Sequence, residues 1–77
     1  MKIKVCGPGC PKCHEAERLV NEAVAETCVD ATVEKVTDFN DIAGLGVFST
    51  PAIVIDGQVK CVGKVPTKKE ICSWLQG

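Results

Sequence analysis

The 77-residue sequence lacks long apolar runs and any large excess of charge of one sign. No segment approaches the ~18 consecutive apolar residues that a membrane-spanning helix requires, so no membrane association is expected. The formal net charge is −1, and Lys68-Lys69 is the only pair of adjacent basic residues. A solvated helix start accounts for that pair, and we expect no face that binds nucleic acid.

Histidine and methionine are also scarce, since His14 and Met1 are the only examples. The motif Cys10-x-x-Cys13-His14 has the spacing of a c-type haem attachment site. Such a haem also needs a second axial ligand, commonly Met or His, and a pocket that is usually helical. The chain offers neither in a suitable place, so haem is an unfavoured alternative and His14 is expected at the surface.

Cysteine, in contrast, is abundant, with six residues in a short chain. Two early lysines resemble the basic start of a signal peptide, but Val5 is followed by Cys-Gly-Pro-Gly rather than by an apolar run. We therefore expect a cytoplasmic protein, in which cysteines serve redox or metal chemistry. Cys28, Cys61 and Cys72 show no spacing that converges on a zinc site. They are expected to pack as small apolar residues. A single disulfide between two of them is the alternative.

The pattern of apolar residues and turn signals predicts an α/β domain over residues 1–77 with the order β-α-β-α-β-β-α. The predicted strands are residues 1–5, 31–36, 52–55 and 58–62. The last two strands are joined by Asp56-Gly57, a pair typical of a two-residue hairpin turn. Asp38 or Asn40 is expected to cap a short second helix that runs through Leu45.

The first and last helices each have a clear start and one apolar face. The first begins at Pro11 and is expected to end near Cys28, and the last begins with the capping box Thr67-Lys68-Lys69-Glu70. The apolar residues of the first helix follow i, i+3, i+4, i+7 spacing. The predicted buried residues are Cys13, Ala16, Val20, Ala23, Val24 and Thr27 in the first helix and Ile71, Trp74 and Leu75 in the last.

The motif Cys10-Pro11-Lys12-Cys13 carries the chemistry that we predict. With Cys10 as N-cap, unpaired N–H groups and the positive end of the helix dipole favour its thiolate, which makes it a nucleophile. Cys13 lies one turn later on the buried stripe and is expected to resolve the mixed disulfide. Lys12 either supports the thiolate electrostatically or is an exposed residue of the helix start.

Cys6 has three interpretations. Cys6-x3-Cys10-x2-Cys13 reproduces the spacing by which radical S-adenosylmethionine enzymes hold an iron–sulfur cluster, but those enzymes need a barrel several times this length. Cys6 as a buried thiol at the end of the first strand is the preferred interpretation. A third redox thiol or a soft-metal ligand remains the other alternative.

The chain resembles the thioredoxin superfamily, and most closely its small, glutaredoxin-sized redox-active disulfide proteins. The resemblance is carried by the element order, the Cys10–Cys13 motif, the segment Gly46-Val47-Phe48-Ser49-Thr50-Pro51-Ala52 and the Asp56-Gly57 hairpin. It implies a four-stranded mixed sheet flanked by helices and a cis Pro51. It also implies that the Thr50 backbone pairs with an extended substrate, with Pro11 and Lys12 beside it.

Three positions depart from that family pattern. Gly9 stands where thioredoxins usually have Trp, and Lys4 stands six residues before Cys10, where they have a buried acid. The segment 61–64 lacks the motif with which glutaredoxins bind glutathione.

The function expected is thiol–disulfide oxidoreduction by a monomer that reduces protein disulfides. Cys10 and Cys13 would act without a bound cofactor, and a flavin-dependent reductase of the thioredoxin reductase type would supply electrons. The alternative is a soft-metal carrier for copper or arsenic that uses the same thiols. Copper chaperones of this size usually close with a strand, whereas this chain is predicted to close with a helix.

Overall fold

The computed structural model describes residues 1–9 and 11–76. The seven elements follow the predicted order. They are β1 (Lys2–Cys6), α1 (Pro11–Thr27), β2 (Thr32–Val36), α2 (Phe39–Gly44), β3 (Ala52–Ile55), β4 (Gln58–Val62) and α3 (Lys68–Gln76). The strands form one sheet in the order β2-β1-β3-β4, with β1 and β2 parallel and the other pairs antiparallel. This four-stranded mixed sheet flanked by helices confirms the predicted fold class.

The helices cover the sheet unequally. α1 and α3 pack together on one face, and α2 packs on the other. Because side chains alternate along a strand, β1 and β3 contribute to both faces. The core under α1 and α3 contains Ile3, Val5, Ala16, Val20, Ala23, Ile53, Ile55, Cys61, Ile71 and Leu75. The smaller core under α2 contains Cys6, Ile42, Val47, Ala52 and Val54.

Four predicted boundaries, in three elements, were wrong by one residue. β1 spans 2–6 rather than 1–5, because Cys6 pairs with Val36 of β2 and Ala52 of β3. β2 begins at Thr32 rather than at residue 31. α2 ends at Gly44, and Leu45 is its C-cap.

The start of α2 and the end of α1 are fixed by local hydrogen bonds. The Asp38 side chain accepts from the Asn40 N–H at 2.7 Å, which identifies Asp38 as the cap of α2. α1 ends at Thr27, and Cys28 follows with a φ of 56°. The Cys28 N–H donates to the Val24 carbonyl, which closes the helix near the predicted position.

The hairpin and the last helix follow their sequence signals. Asp56 and Gly57 have φ values of 49° and 82°, which suit a two-residue turn between antiparallel strands. The capping box is formed by reciprocal bonds of 3.2 Å, from the Thr67 N–H to Glu70 Oε1 and from the Glu70 N–H to Thr67 Oγ1. The backbone hydrogen bond from Thr67 holds the pKa of Glu70 below its usual value.

Most residues of the predicted helix faces are buried, and the others lie at the edges of those faces. Val24, Thr27 and Trp74 are half-buried rather than buried. Lys68, the first residue of α3, also forms ion pairs with α1. Its Nζ lies 2.6 Å from Glu26 Oε2 and 3.7 Å from Glu22 Oε1. Within the residues described, no helix is both long and apolar enough to cross a membrane.

Candidate active site

The start of α1 carries the predicted redox motif. Pro11 is the first residue of the helix, and Pro11 and Lys12 are both exposed. The first turn contains no acidic residue, so no carboxylate there opposes negative charge at the positive end of the helix dipole. Cys10, the predicted nucleophile, lies outside the described residues.

Cys13 is buried, with 5% of its surface exposed, on the side of α1 that faces the sheet. The backbone of Gly7, the residue directly after β1, lies beside it. A Cβ placed on Gly7 would overlap the Cys13 sulfur and lie 2.9 Å from the Cys13 Cβ. The Cys13 side chain therefore rests directly on the Gly7 backbone.

The loop before β3 reaches the same place. A Cβ on Gly7 would also lie 3.9 Å from the Thr50 Cβ. Thr50 is half-exposed, Pro51 is buried, and the peptide bond between them is cis, as the resemblance implied. The Pro51 carbonyl accepts a hydrogen bond of 2.9 Å from the Gly63 N–H, which ties this loop to the end of β4. Gly7 is thus the point where Cys13 and the Thr50 loop meet.

Thr50 also borders an apolar concavity. Two aromatic side chains border it, Phe48 at 85% exposure and Phe39 at 66%. A cavity of about 300 Å³ is lined by Phe39, Ile42, Ala43, Val47, Phe48, Ser49 and Thr50. Contiguous exposed apolar patches, unlike single exposed apolar residues, are typical of surfaces that contact another molecule.

Cys6 lies on the other face of the sheet from Cys13. It is fully buried among the aliphatic residues under α2, opposite Ala52 of β3. Burial raises the pKa of the Cys6 thiol, and the nearby Lys4 charge opposes that effect only in part. This environment agrees with a buried strand-end thiol and gives no support to a third redox thiol or a shared ligand set with Cys13.

Lys4 shares the face of Cys6. It pairs with Val54, a residue of the core under α2. Lys4, the basic residue that departs from the family pattern stated above, therefore lies on the face of the sheet opposite to that of Cys13.

The remaining cysteines and the histidine are not among the residues found around Gly7, Cys13 and Thr50. Burial raises the pKa of Cys61, whose thiol donates to the Lys64 carbonyl. Cys28 is exposed and Cys72 half-buried, and no disulfide joins these three. His14 is exposed, as predicted. Among the side chains of residues 1–9 and 11–76, no group of three or more His, Cys, Asp or Glu could hold a metal ion.

Two glycines of this site were not predicted to matter. Gly7 directly follows β1, and Gly63 directly follows β4. Gly63 has a φ of 76°, a conformation that favours glycine, and it anchors the Pro51 carbonyl. Their positions next to Cys-rich or turn-rich segments indicated loops at these places. The contacts that the two glycines make with Cys13 and Pro51 could not be predicted from those positions.

Comparison with known proteins agrees with this architecture. The profile of the family described as "Thioredoxin domain" matches residues 1–76. A protein named Thioredoxin from Methanocaldococcus jannaschii is 42% identical over 79 residues, covering 97% of this chain and 91% of that protein. A second Thioredoxin, from Methanothermobacter thermautotrophicus, is 38% identical over 71 residues and 92% of each chain. An uncharacterized 9.0 kDa protein of Acidithiobacillus ferrooxidans is 32% identical over 80 residues, covering 95% of this chain and 89% of that protein. The chain therefore belongs to the thioredoxin family of oxidoreductases.

Proposed function

We propose that this protein reduces protein disulfides, with Cys10 as the nucleophile and Cys13 as the resolving thiol. The observation that carries the proposal is the meeting of Cys13 with the Thr50 loop across Gly7. A resolving thiol must be shielded from substrate yet next to the place where substrate binds. A buried cysteine beside a half-exposed loop meets both requirements.

The proposed reaction has two exchange steps. The Cys10 thiolate attacks one sulfur of the substrate disulfide, forms a mixed disulfide and releases the other substrate sulfur as a thiolate, which takes a proton from solvent. Cys13 then loses its proton and attacks the Cys10 sulfur. The Cys10–Cys13 disulfide forms, the bond to substrate breaks, and the second substrate thiolate leaves. The substrate gains two electrons, and the cysteine pair loses them.

The first turn of α1 favours the first step. It has no acidic residue, and it carries the exposed Lys12 close in sequence to Cys10. Cations and helix N-termini stabilise a thiolate relative to a thiol. Pro11 and Lys12 would border the substrate on this side.

The Thr50 loop would bind the substrate chain. Its half-exposed backbone would pair with an extended segment that flanks the substrate disulfide. The concavity beside Phe48 would accept an apolar side chain of that segment. Electrons would come from a flavin-dependent reductase of the thioredoxin reductase type, which returns the Cys10–Cys13 disulfide to the dithiol.

Reduction of insulin, followed by its precipitation, tests the proposal. The assay uses a thioredoxin reductase with a nicotinamide nucleotide, and in parallel a dithiol donor, so that a mismatch with one reductase is recognised. Cys10→Ser and Cys13→Ser should each abolish catalysis, and Cys28→Ser is the matched control that should retain it. Absence of catalysis with every electron source, or full activity of either active-site variant, would refute the proposal.

A further inference from the structure

Gly7 is held in place by the sheet rather than by a turn. It directly follows β1, it is buried, and its N–H donates to the Val36 carbonyl of β2 at 2.8 Å. It is not among the glycines with positive φ, which are Gly9, Gly46, Gly57 and Gly63. The backbone conformation therefore does not require glycine at this position.

The space around Gly7 does require it. A Cβ there would overlap the Cys13 sulfur and lie 2.9 Å from the Cys13 Cβ, closer than real Cβ contacts come. Rotation of the Cys13 side chain would move the sulfur but not its Cβ, which is fixed to the helix backbone. An added methyl group would thus displace both the sulfur and the first turn of α1.

A Cβ on any other described glycine would meet no atom closer than 3.3 Å, the distance from a Cβ on Gly63 to the Ser49 Cβ. A Cβ on Gly44, Gly46 or Gly57 would meet nothing within 4 Å. One on Gly9 would reach only the His14 side chain, at 3.9 Å. Gly7 is the described glycine whose missing side chain makes room for a cysteine sulfur.

We propose that Gly7 is a positioning residue for Cys13, and that its bare backbone sets the place from which the Cys13 sulfur attacks the mixed disulfide on Cys10. This inference depends on the proposed function. Gly7 takes no part in the first attack, so its replacement should slow the second exchange step selectively. Displacement of a reacting group by about 1 Å can lower the rate about a hundredfold.

The two steps can be separated with 5,5′-dithiobis(2-nitrobenzoate) as the disulfide. The parent protein carries Cys28→Ser and Cys72→Ser, which removes the described thiols that are exposed or half-buried outside the site. One equivalent of probe is mixed with the reduced protein. Attack by Cys10 releases a first coloured aryl thiolate, and attack by Cys13 on the mixed disulfide then releases a second. The second release is intramolecular and therefore independent of concentration.

In this assay, Gly7→Ala should slow the second release about tenfold or more and leave the first within about twofold. Gly44→Ala is the matched control, since an added Cβ there meets nothing, and it should change neither rate. An unchanged second rate in folded Gly7→Ala protein would overturn the inference. Failure of the proposed function gives a different result: the parent would lack a second release, or Cys13→Ser would retain it.

A stability cycle covers the case in which Gly7→Ala does not fold. The melting temperature of the reduced protein is measured for Gly7→Ala with Cys13 and with Cys13→Ala. Because the alanine variant lacks the sulfur, Gly7→Ala should lower the melting temperature less in that background, or recover a folded protein there. Equal losses in both backgrounds would show that the added methyl group does not press on the sulfur, and would overturn the inference.

Discussion

Cys6 and Cys13 are two buried cysteines on opposite faces of the same sheet. Cys6 belongs to β1 and is surrounded by aliphatic side chains under α2, where burial raises the pKa of its thiol. Cys13 belongs to the first turn of α1 and lies against Gly7, close to the half-exposed Thr50. Burial is thus common to both, and the neighbours differ. We therefore propose that the helix start and the loop beside a cysteine, rather than its exposed fraction, determine its chemistry in this fold.

The largest expected effect is on catalysis. Cys13→Ala should lower the rate of protein disulfide reduction at least about a hundredfold, because the mixed disulfide is no longer resolved within the molecule. Cys6→Ala should retain the rate within about twofold, since Cys6 lies across the sheet from the reaction. Steady-state rates with insulin measure both. Equal losses in the two variants would remove the distinction between the two cysteines.

The next effect is on stability, to which the buried Cys6 should contribute more than an exposed cysteine does. Cys6→Ser places a hydroxyl group in an aliphatic cluster and should lower the free energy of unfolding by about 1–3 kcal/mol. Cys28→Ser changes an exposed residue and should stay within about 0.5 kcal/mol of the parent. Urea unfolding of the reduced proteins measures both. A Cys6→Ser protein as stable as Cys28→Ser would show that the core under α2 tolerates a polar atom.

The apolar concavity beside Thr50 should contribute a smaller effect on substrate binding. Phe48→Ala removes apolar surface that a protein substrate would cover and should raise KM for insulin about fivefold, which corresponds to ~1 kcal/mol. It should leave the rate with a small disulfide unchanged. Val59→Ala, an exposed apolar residue of β4 that does not line the concavity, is the control. Equal changes for the two disulfides would place the effect of Phe48 in the chemistry instead of in binding.

The smallest effect concerns pH. The pKa of Cys6 is raised in the folded state from its ordinary value of 9.0, so the folded protein favours the protonated thiol. The contribution of Cys6 to the free energy of unfolding is fully present below the pKa that its thiol has in the unfolded chain. It is lost as pH rises through the pKa of that thiol in the folded state. The free energy of unfolding should therefore fall above pH 9 under reducing conditions. The fall should be smaller in Cys6→Ala, with a remainder from Cys61, whose pKa is raised in the same way. An identical pH profile in Cys6→Ala would contradict the assignment.

Much of the fold could be predicted from the sequence because its signals are local. The Asp56-Gly57 turn and the Thr67–Glu70 capping box each act within four residues, and both formed as predicted. Cys6 was predicted at the end of the first strand, but the predicted bounds of 1–5 stopped one residue short of it, because its pairing with Val36 and Ala52 depends on segments that lie far away in the chain.

The site was less accessible to prediction for the same reason. The motif predicted Cys13 as a site residue, and the resemblance predicted Thr50 and Pro51. Neither could show that Cys13 and Thr50 meet at Gly7, because Thr50 lies far from the other two residues in the chain and only the fold brings it beside them. Nor could the alternation along β1 alone show that Cys6 lies across the sheet from Cys13, since the sequence does not say which face α1 covers.

A redox titration with disulfide mapping tests the central claim most directly. The protein is equilibrated with thiol buffers of graded potential, the remaining thiols are blocked, and each disulfide is located by peptide mass analysis. The account predicts one two-electron transition that joins Cys10 to Cys13, with Cys6 still a thiol across that transition. A disulfide that includes Cys6, or no transition of the Cys10–Cys13 pair at any potential, would contradict it.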